Sequence, residues 1–227
     1  MMKLYFAPNT RAERTAWLLN ELDLDYELER YRLGDKAMRS PEYLAVNPNG
    51  RVPVLDDGNV RITESTAIAQ YLVARYGEGR LAPPVDSPDF PVYLQWLHYA
   101  EGMLMAPMGN YVVEAILLPP DRRSEVHAKR ALKLLGNLLK AVDAHLADRD
   151  YLAGEFTAAD TVTGHACVIS EQIGSQLSEL HNVTAYLERL KARPALQKVL
   201  ALRSELHRRH DEANGLVTAI NGRGERI

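Results

Sequence analysis

Apolar positions change their period several times along the chain, and each change marks an element. Residues 3–6 form a short apolar run (Lys-Leu-Tyr-Phe) stopped by Pro8, the length of a strand. Ala16, Trp17, Leu18, Leu19 and Leu22 then recur at helical spacing. Over residues 23–31 the pattern alternates, with Leu24, Tyr26 and Leu28 on one side and charges on the other, which predicts a second strand. Strand, helix, strand is a βαβ unit, and its right-handed crossover makes the two strands parallel.

The polar stretch 33–40 ends at Ser40-Pro41, a cap followed by proline at the first helical position. The short helix it starts must stop before the turn-rich Asn47-Pro48-Asn49-Gly50. Val52-Pro53-Val54-Leu55 reads as a strand, Asp57-Gly58 as a two-residue hairpin turn, and residues 60–62 as the partner strand. From Ser65 onward, Ala67, Ile68, Tyr71 and Leu72 predict another amphipathic helix. Residues 77–91 carry Pro83, Pro84, Pro88 and Pro91, the composition of a linker. Beyond it only helical periodicity appears: residues 92–108, 122–146 after Pro119-Pro120, 156–173 with apolar residues nearly all round, 183–190 and 194–206. In the second of these, Leu132, Leu135, Leu138, Leu139 and Val142 share a face. The expected architecture is α/β followed by all-α: residues 1–80, a linker at 81–90, and a helical domain over 91–227.

Composition removes several functions. The 227 residues carry 27 basic and 30 acidic side chains, a net charge of -3, without the basic excess of a nucleic-acid binder. The single cysteine, Cys167, excludes an intrachain disulfide, a CxxC redox pair and a multi-cysteine zinc site. His207 and His210 lie three apart but have no obvious third ligand, so no metal is expected. No apolar run approaches the ~18–20 residues of a membrane span, and the opening residues lack a signal-peptide pattern. A cytoplasmic protein without membrane or nucleic-acid partners is the expectation.

Three places could carry chemistry. Pro53 sits in an otherwise apolar strand; it is either an edge-strand proline, the commoner case, or half of a cis peptide that frees the Val52 backbone to pair with an extended ligand. At Thr63-Glu64-Ser65-Thr66 a strand gives way to a helix within three residues. Ser65 or Thr66 could simply cap that helix, or its free N–H groups could take a carboxylate while Glu64 takes an ammonium. Ala7-Pro8-Asn9-Thr10-Arg11 follows the first strand, where α/β folds bind ligands; its residues could equally be a helix cap with Arg11 and Arg14 in solvent.

Together and in this order, LYFAPNTR, NPNGRVPVL and TESTAIAQYL resemble the glutathione-binding, thioredoxin-like domain of the cytosolic glutathione S-transferase superfamily. The segment Tyr-Leu-Ala-Gly-Glu-Phe-Thr-Ala-Ala-Asp at 151–160 resembles the superfamily's helix-capping motif in its all-α domain, with Thr157 as cap and Asp160 three residues on. The similarity spans about residues 2–205. It implies that glutathione is the co-substrate, that Pro53 is the cis proline and that Val52 pairs with the cysteinyl residue. Glu64 and Ser65 would hold the γ-glutamyl head; Arg51 and Arg39 would serve the glycine carboxylate, with Arg11 lining the same site.

The loop after the first strand departs from the superfamily pattern, which often has Ser, Tyr or Cys there. Asn9 falls on the serine-type position, Thr10 follows, and Arg11 falls on the cysteine-type position, so Asn9 or Thr10 is the candidate donor to the sulfur. Lowering a thiol pKa of ~8.5 by ~2 units needs about 2.7 kcal/mol. A hydrogen bond to a charged group contributes roughly 1.5–3 kcal/mol, so one donor suffices. Tyr99, Met103, Met105, Met108 and Tyr111 are the candidates for a hydrophobic electrophile pocket, although core packing is the commoner role of such residues. His98 and Glu101 read as solvated or interfacial, and His165 and Cys167 as inert packing. Residues 205–227 read as a fraying tail able to close over the pocket. A homodimer is implied by the resemblance. Conjugation of glutathione to small electrophiles is the first functional reading, glutathione-dependent disulfide or peroxide reduction the second, and a non-catalytic interaction module the third.

Overall fold

The computed structural model describes residues 1–175 and 177–213, with side chains to residue 203. The sequence readings on 214–227, and on the side chains of His207 and His210, lie outside the described residues.

β1 (Met2–Phe6), α1 (Ala12–Glu21) and β2 (Tyr26–Arg30) form the βαβ unit, and β1 and β2 pair in parallel. A 3-10 turn and α2 (Pro41–Val46) follow, then the antiparallel strands β3 (Val54–Asp57) and β4 (Val60–Thr63), and α3 (Ser65–Tyr76). The sheet order is β2-β1-β3-β4. Alternation along β1 sorts its side chains: Leu4 and Phe6 join the large core with Trp17, Leu55 and Ile68, while Tyr5 packs with Met38, Tyr43 and Val54 on the other face.

Three local expectations shift. The hairpin loop is Gly58-Asn59, because Asp57 pairs with Val60; Gly58 supplies the left-handed φ of 61° that the first loop residue needs. β3 begins at Val54, so Val52 and Pro53 precede the strand, and β3 is an interior strand. The edge-strand reading of Pro53 therefore fails, and the Val52–Pro53 peptide is cis. Neither Ser65 nor Thr66 caps α3; Glu64 occupies the cap position at φ 67° without a side-chain bond.

The remaining chain is helical. α4 (Asp89–Tyr99) runs through a π-helical turn (Ala100–Leu104) into α5 (Met105–Val112) and a second π turn (Val113–Leu117). α6 (Glu125–His145) starts at Ser124, whose hydroxyl accepts from His127 N–H. A third π turn (Asp160–Gly164) leads into α7 (His165–Gln172), followed by α8 (His181–Lys191) and α9 (Pro194–Ala213). Residues 157–170 are buried throughout, as the apolar run predicts.

The start of this buried stretch is held by Asp160. Its carboxylate accepts from Thr157 N–H (2.8 Å), the Thr157 hydroxyl (3.1 Å), Leu152 N–H (3.0 Å) and the Tyr186 hydroxyl (2.7 Å). The Thr157 hydroxyl thus donates to Asp160 and is not the acceptor of a conventional capping box.

Candidate active site

The loop between β1 and α1 is tied down atom by atom. Asn9 is exposed with φ 58°, a conformation Asn tolerates better than most residues. Its backbone N–H donates to Glu13 Oε1 at 2.9 Å. The Thr10 hydroxyl donates to Ala7 O at 2.6 Å and accepts from Ala12 N–H at 3.1 Å. Arg11, in the cap position of α1, gives its Nε to both oxygens of Glu101 at 2.9 Å. Arg14, which would lie in solvent if the loop were only a helix cap, is 1% exposed; one terminal nitrogen donates to Ser65 Oγ at 3.1 Å and to Glu101, while its Nε and other terminal nitrogen have no partner among the described residues.

Glu101, read from sequence as solvated or interfacial, is interfacial: it ties together Arg11 and Arg14 of the β1–α1 region. Glu101 is the second residue of the π turn that follows Tyr99. Burial pushes its carboxyl up, but Arg11 and Arg14 hold it below the ordinary range.

The loop before Pro53 is equally constrained. Asn47 Nδ2 (2.7 Å) and the Tyr43 hydroxyl (2.8 Å) both donate to Arg51 O, and Asn47 O accepts from Gly50 N–H. Gly50 has φ 58°, and a Cβ there would lie 2.6 Å from Met38 O, so only glycine fits.

Two adjoining cavities meet over this floor. The first, about 480 Å³, is polar and is lined by Arg11, Arg39, Arg51, Val52, Pro53, Glu64 and Ser65, with Glu101 added. Every residue named from sequence for glutathione therefore faces one cleft. The second, about 540 Å³, shares Arg11, Arg39, Arg51 and Val52 with the first and is walled by Asn9, Thr10, Met105, Met108, Val112 and Ile169. Of the five expected pocket residues it receives only Met105 and Met108. Tyr99 donates its hydroxyl to Leu138 O (3.1 Å) and packs on Trp96; Met103 is 44% exposed; Tyr111 lines a separate groove with Glu114 and Leu132. Tyr111 follows Met105 and Met108 in the same helix, and helical spacing alone does not separate the face on the cavity from the face beside it.

Below Asn9 lies a buried cluster that sequence reading passed over. Glu13, fully buried, accepts from Arg203 Nε (2.7 Å) and its terminal nitrogen (2.6 Å), and from His165 Nε2 (2.8 Å). Burial alone would push this carboxyl up; the Arg203 and His165 bonds instead bring it down to about 2. Burial lowers the pKa of His165 despite Glu13, so its imidazole is neutral, with the proton on Nε2. His165 also lines the second cavity. One signal was available: Glu13 and Arg14 stand four residues before Trp17 and Leu18, on the apolar face of α1. Cys167 is buried, and desolvation pushes its thiol up to about 12, so it is no nucleophile. Among the described residues no His, Cys, Asp and Glu group could hold a metal, and no helix is long and apolar enough to cross a membrane.

Comparison with known proteins decides the family. The glutathione S-transferase N-terminal domain model matches residues 1–74, and the C-terminal domain model matches residues 104–194. The chain belongs to the glutathione S-transferase family. It is 33% identical to glutathione S-transferase 3 of Zea mays, covering 88% of this chain and 93% of that protein. Among solved structures it is similar to a glutathione transferase of Methylococcus capsulatus (31% identity, 90% and 99% coverage, TM-score 0.78). It is also similar to glutathione transferase URE2P6 of Phanerochaete chrysosporium (26% identity, 90% and 96% coverage, TM-score 0.79).

Proposed function

We propose that this family member binds glutathione in the polar cleft, ionises its thiol, and directs the thiolate at a small hydrophobic electrophile in the adjoining cavity. The observation that carries this reading is the junction itself: the polar cleft and the apolar cavity share a wall at Arg51-Val52, with Asn9 at the edge. Arg51 and Arg39 serve the glycine carboxylate, and a guanidinium can grip it with two nitrogens. The Val52 backbone pairs with the cysteinyl residue. The γ-glutamyl carboxylate meets the Ser65 hydroxyl and the uncapped N–H groups of α3, and Glu64 takes the ammonium. Ser65 Oγ already accepts from Arg14, so its own proton is available to the ligand.

Asn9 is our choice for the donor to sulfur. Both residues line the cavity, but the Thr10 hydroxyl proton is committed to Ala7 O, whereas no side-chain bond engages Asn9 among the described residues. The thiol proton leaves to solvent, and the thiolate forms a carbon–sulfur bond to the electrophile: in a substitution the leaving group departs with its bonding pair, and in an addition the displaced π pair takes a proton from solvent. Met105 and Met108 make that cavity adaptable in shape. We further assign the glutathione half to residues 1–80 and the electrophile half to 91–227, joined by 81–90, in a cytoplasmic homodimer.

A second reading, glutathione-dependent disulfide reduction, draws on the similarity to URE2P6, which was solved in complex with oxidized glutathione. A non-catalytic module is disfavoured by the retained Pro53, Glu64 and Ser65 in one cleft. Calorimetric titration tests the site: Ser65→Ala should weaken glutathione binding at least about tenfold, the scale of one charge-assisted bond. Unchanged affinity would sink the assignment. Parallel assays with a chlorodinitrobenzene and with a small mixed disulfide of glutathione separate the two reactions.

A further inference from the structure

The Asn9 backbone does not hold its left-handed conformation unaided. Its N–H is anchored by a carboxylate that is itself fully buried and held from two other helices: by Arg203 of α9 through two nitrogens, and by His165 of α7 through Nε2. We propose that Glu13 is a positioning residue for the sulfur-binding loop, and that Arg203 fixes the Glu13 carboxylate so that α9 sets how far bound glutathione ionises. This rests on the proposed glutathione function and goes beyond it, because neither residue touches the ligand cleft.

The geometry has two consequences. Each Glu13 oxygen has divided duties: Oε1 accepts from Asn9 N–H and Arg203 Nε, while Oε2 accepts from the Arg203 terminal nitrogen and from His165. Rotation of the carboxylate would therefore break the Asn9 bond together with the ion pair. The charge also matters. Arg203 neutralises Glu13 and His165 is neutral, so the floor beneath the thiolate carries no net charge from these three groups. Removing Arg203 leaves a negative charge under the sulfur, which disfavours a second one. Among the described residues, the other charged groups near the cluster are Arg14 and, through it, Glu101 and Arg11.

The test uses the full chain with glutathione itself. Ultraviolet thiolate absorbance against pH, steady-state kinetics and melting temperature are measured for the wild type, Glu13→Ala, Glu13→Gln, Arg203→Met and the double variant Glu13→Ala/Arg203→Met. Glu13→Ala alone removes the anchor but leaves the Arg203 charge unopposed, which favours a thiolate, so the anchor is isolated in the double variant Glu13→Ala/Arg203→Met. The double variant should raise the thiol pKa of bound glutathione by about one unit and lower kcat about tenfold or more, with KM for glutathione changed less than about threefold. Glu13→Gln, which keeps an acceptor for Asn9 N–H, should recover most of kcat. Arg203→Met leaves a partly exposed position and keeps the test alive if Glu13→Ala fails to fold; it should raise the thiol pKa in the same direction. Amide exchange adds a structural readout: the Asn9 N–H should be protected in the wild type and lose protection in Glu13→Ala. Folded Arg203→Met and Glu13→Ala/Arg203→Met variants that ionise glutathione like the wild type, even with lower melting temperatures, overturn the inference alone. A wild type that binds no glutathione overturns the inference together with the functional reading.

Discussion

Two buried carboxylates anchor the two functional halves of the molecule, and they are held in opposite ways. Glu13, under the β1–α1 loop, is paired with the full charge of Arg203, and its carboxyl is brought down to about 2. Asp160, at the start of the buried helix of the all-α half, has only neutral donors: two backbone N–H groups and the hydroxyls of Thr157 and Tyr186. Burial pushes Asp160 above the ordinary range, and its four donors do not fully offset it. Equal burial therefore does not give equal electrostatics. A charged partner keeps a carboxylate ionised, whereas dipoles keep it in place. The first arrangement suits a site where charge controls chemistry, and the second suits a structural joint.

The largest expected effect comes from deleting the joint. Asp160→Ala strands four donors in the core and should cost at least about 3 kcal/mol, or roughly 6–12 °C in Tm. A loss below about 1 kcal/mol in calorimetry would remove the contrast with Glu13. Next is acid. The Glu13 folded pKa is depressed, so its contribution is complete above the unfolded value of 4.5 and is lost as pH falls through about 2. The loss amounts to about 3 kcal/mol, and Glu13→Gln should flatten this part of the pH–stability curve. Asp160 has the opposite sign: its folded pKa is raised, so it favours the folded state below the ordinary carboxylate range and less so as pH rises. Tyr186→Phe removes one of the four donors and should cost about 1–2 kcal/mol without altering glutathione affinity. The smallest effect is a negative one. Cys167 should resist alkylation in the folded protein and react on denaturation, since its thiolate is disfavoured by burial.

What was legible in the sequence was local. The period-2 and period-3.6 patterns identify β1, α1 and β2, and the Ser40-Pro41 start of α2 is visible in two residues. The residues named for glutathione gather in one cleft because they follow short, tightly spaced turns. Glu101 and the wrong-facing Tyr99, Met103 and Tyr111 were missed because helical spacing groups residues on a face without showing what that face meets. The Glu13 cluster was missed for another reason: its partners lie 152 and 190 residues away, and a buried ion pair looks in sequence like a solvated helix face.

The central claim is that Asn9, held over this neutral floor, stabilises the glutathione thiolate. Its most direct test is thiolate absorbance against pH for glutathione bound to the wild type and to Asn9→Ala. The account predicts a bound thiol pKa about 2 units below the free value of ~8.5 in the wild type, moving most of the way back in Asn9→Ala. Glutathione that binds the wild type with an unshifted thiol would contradict it.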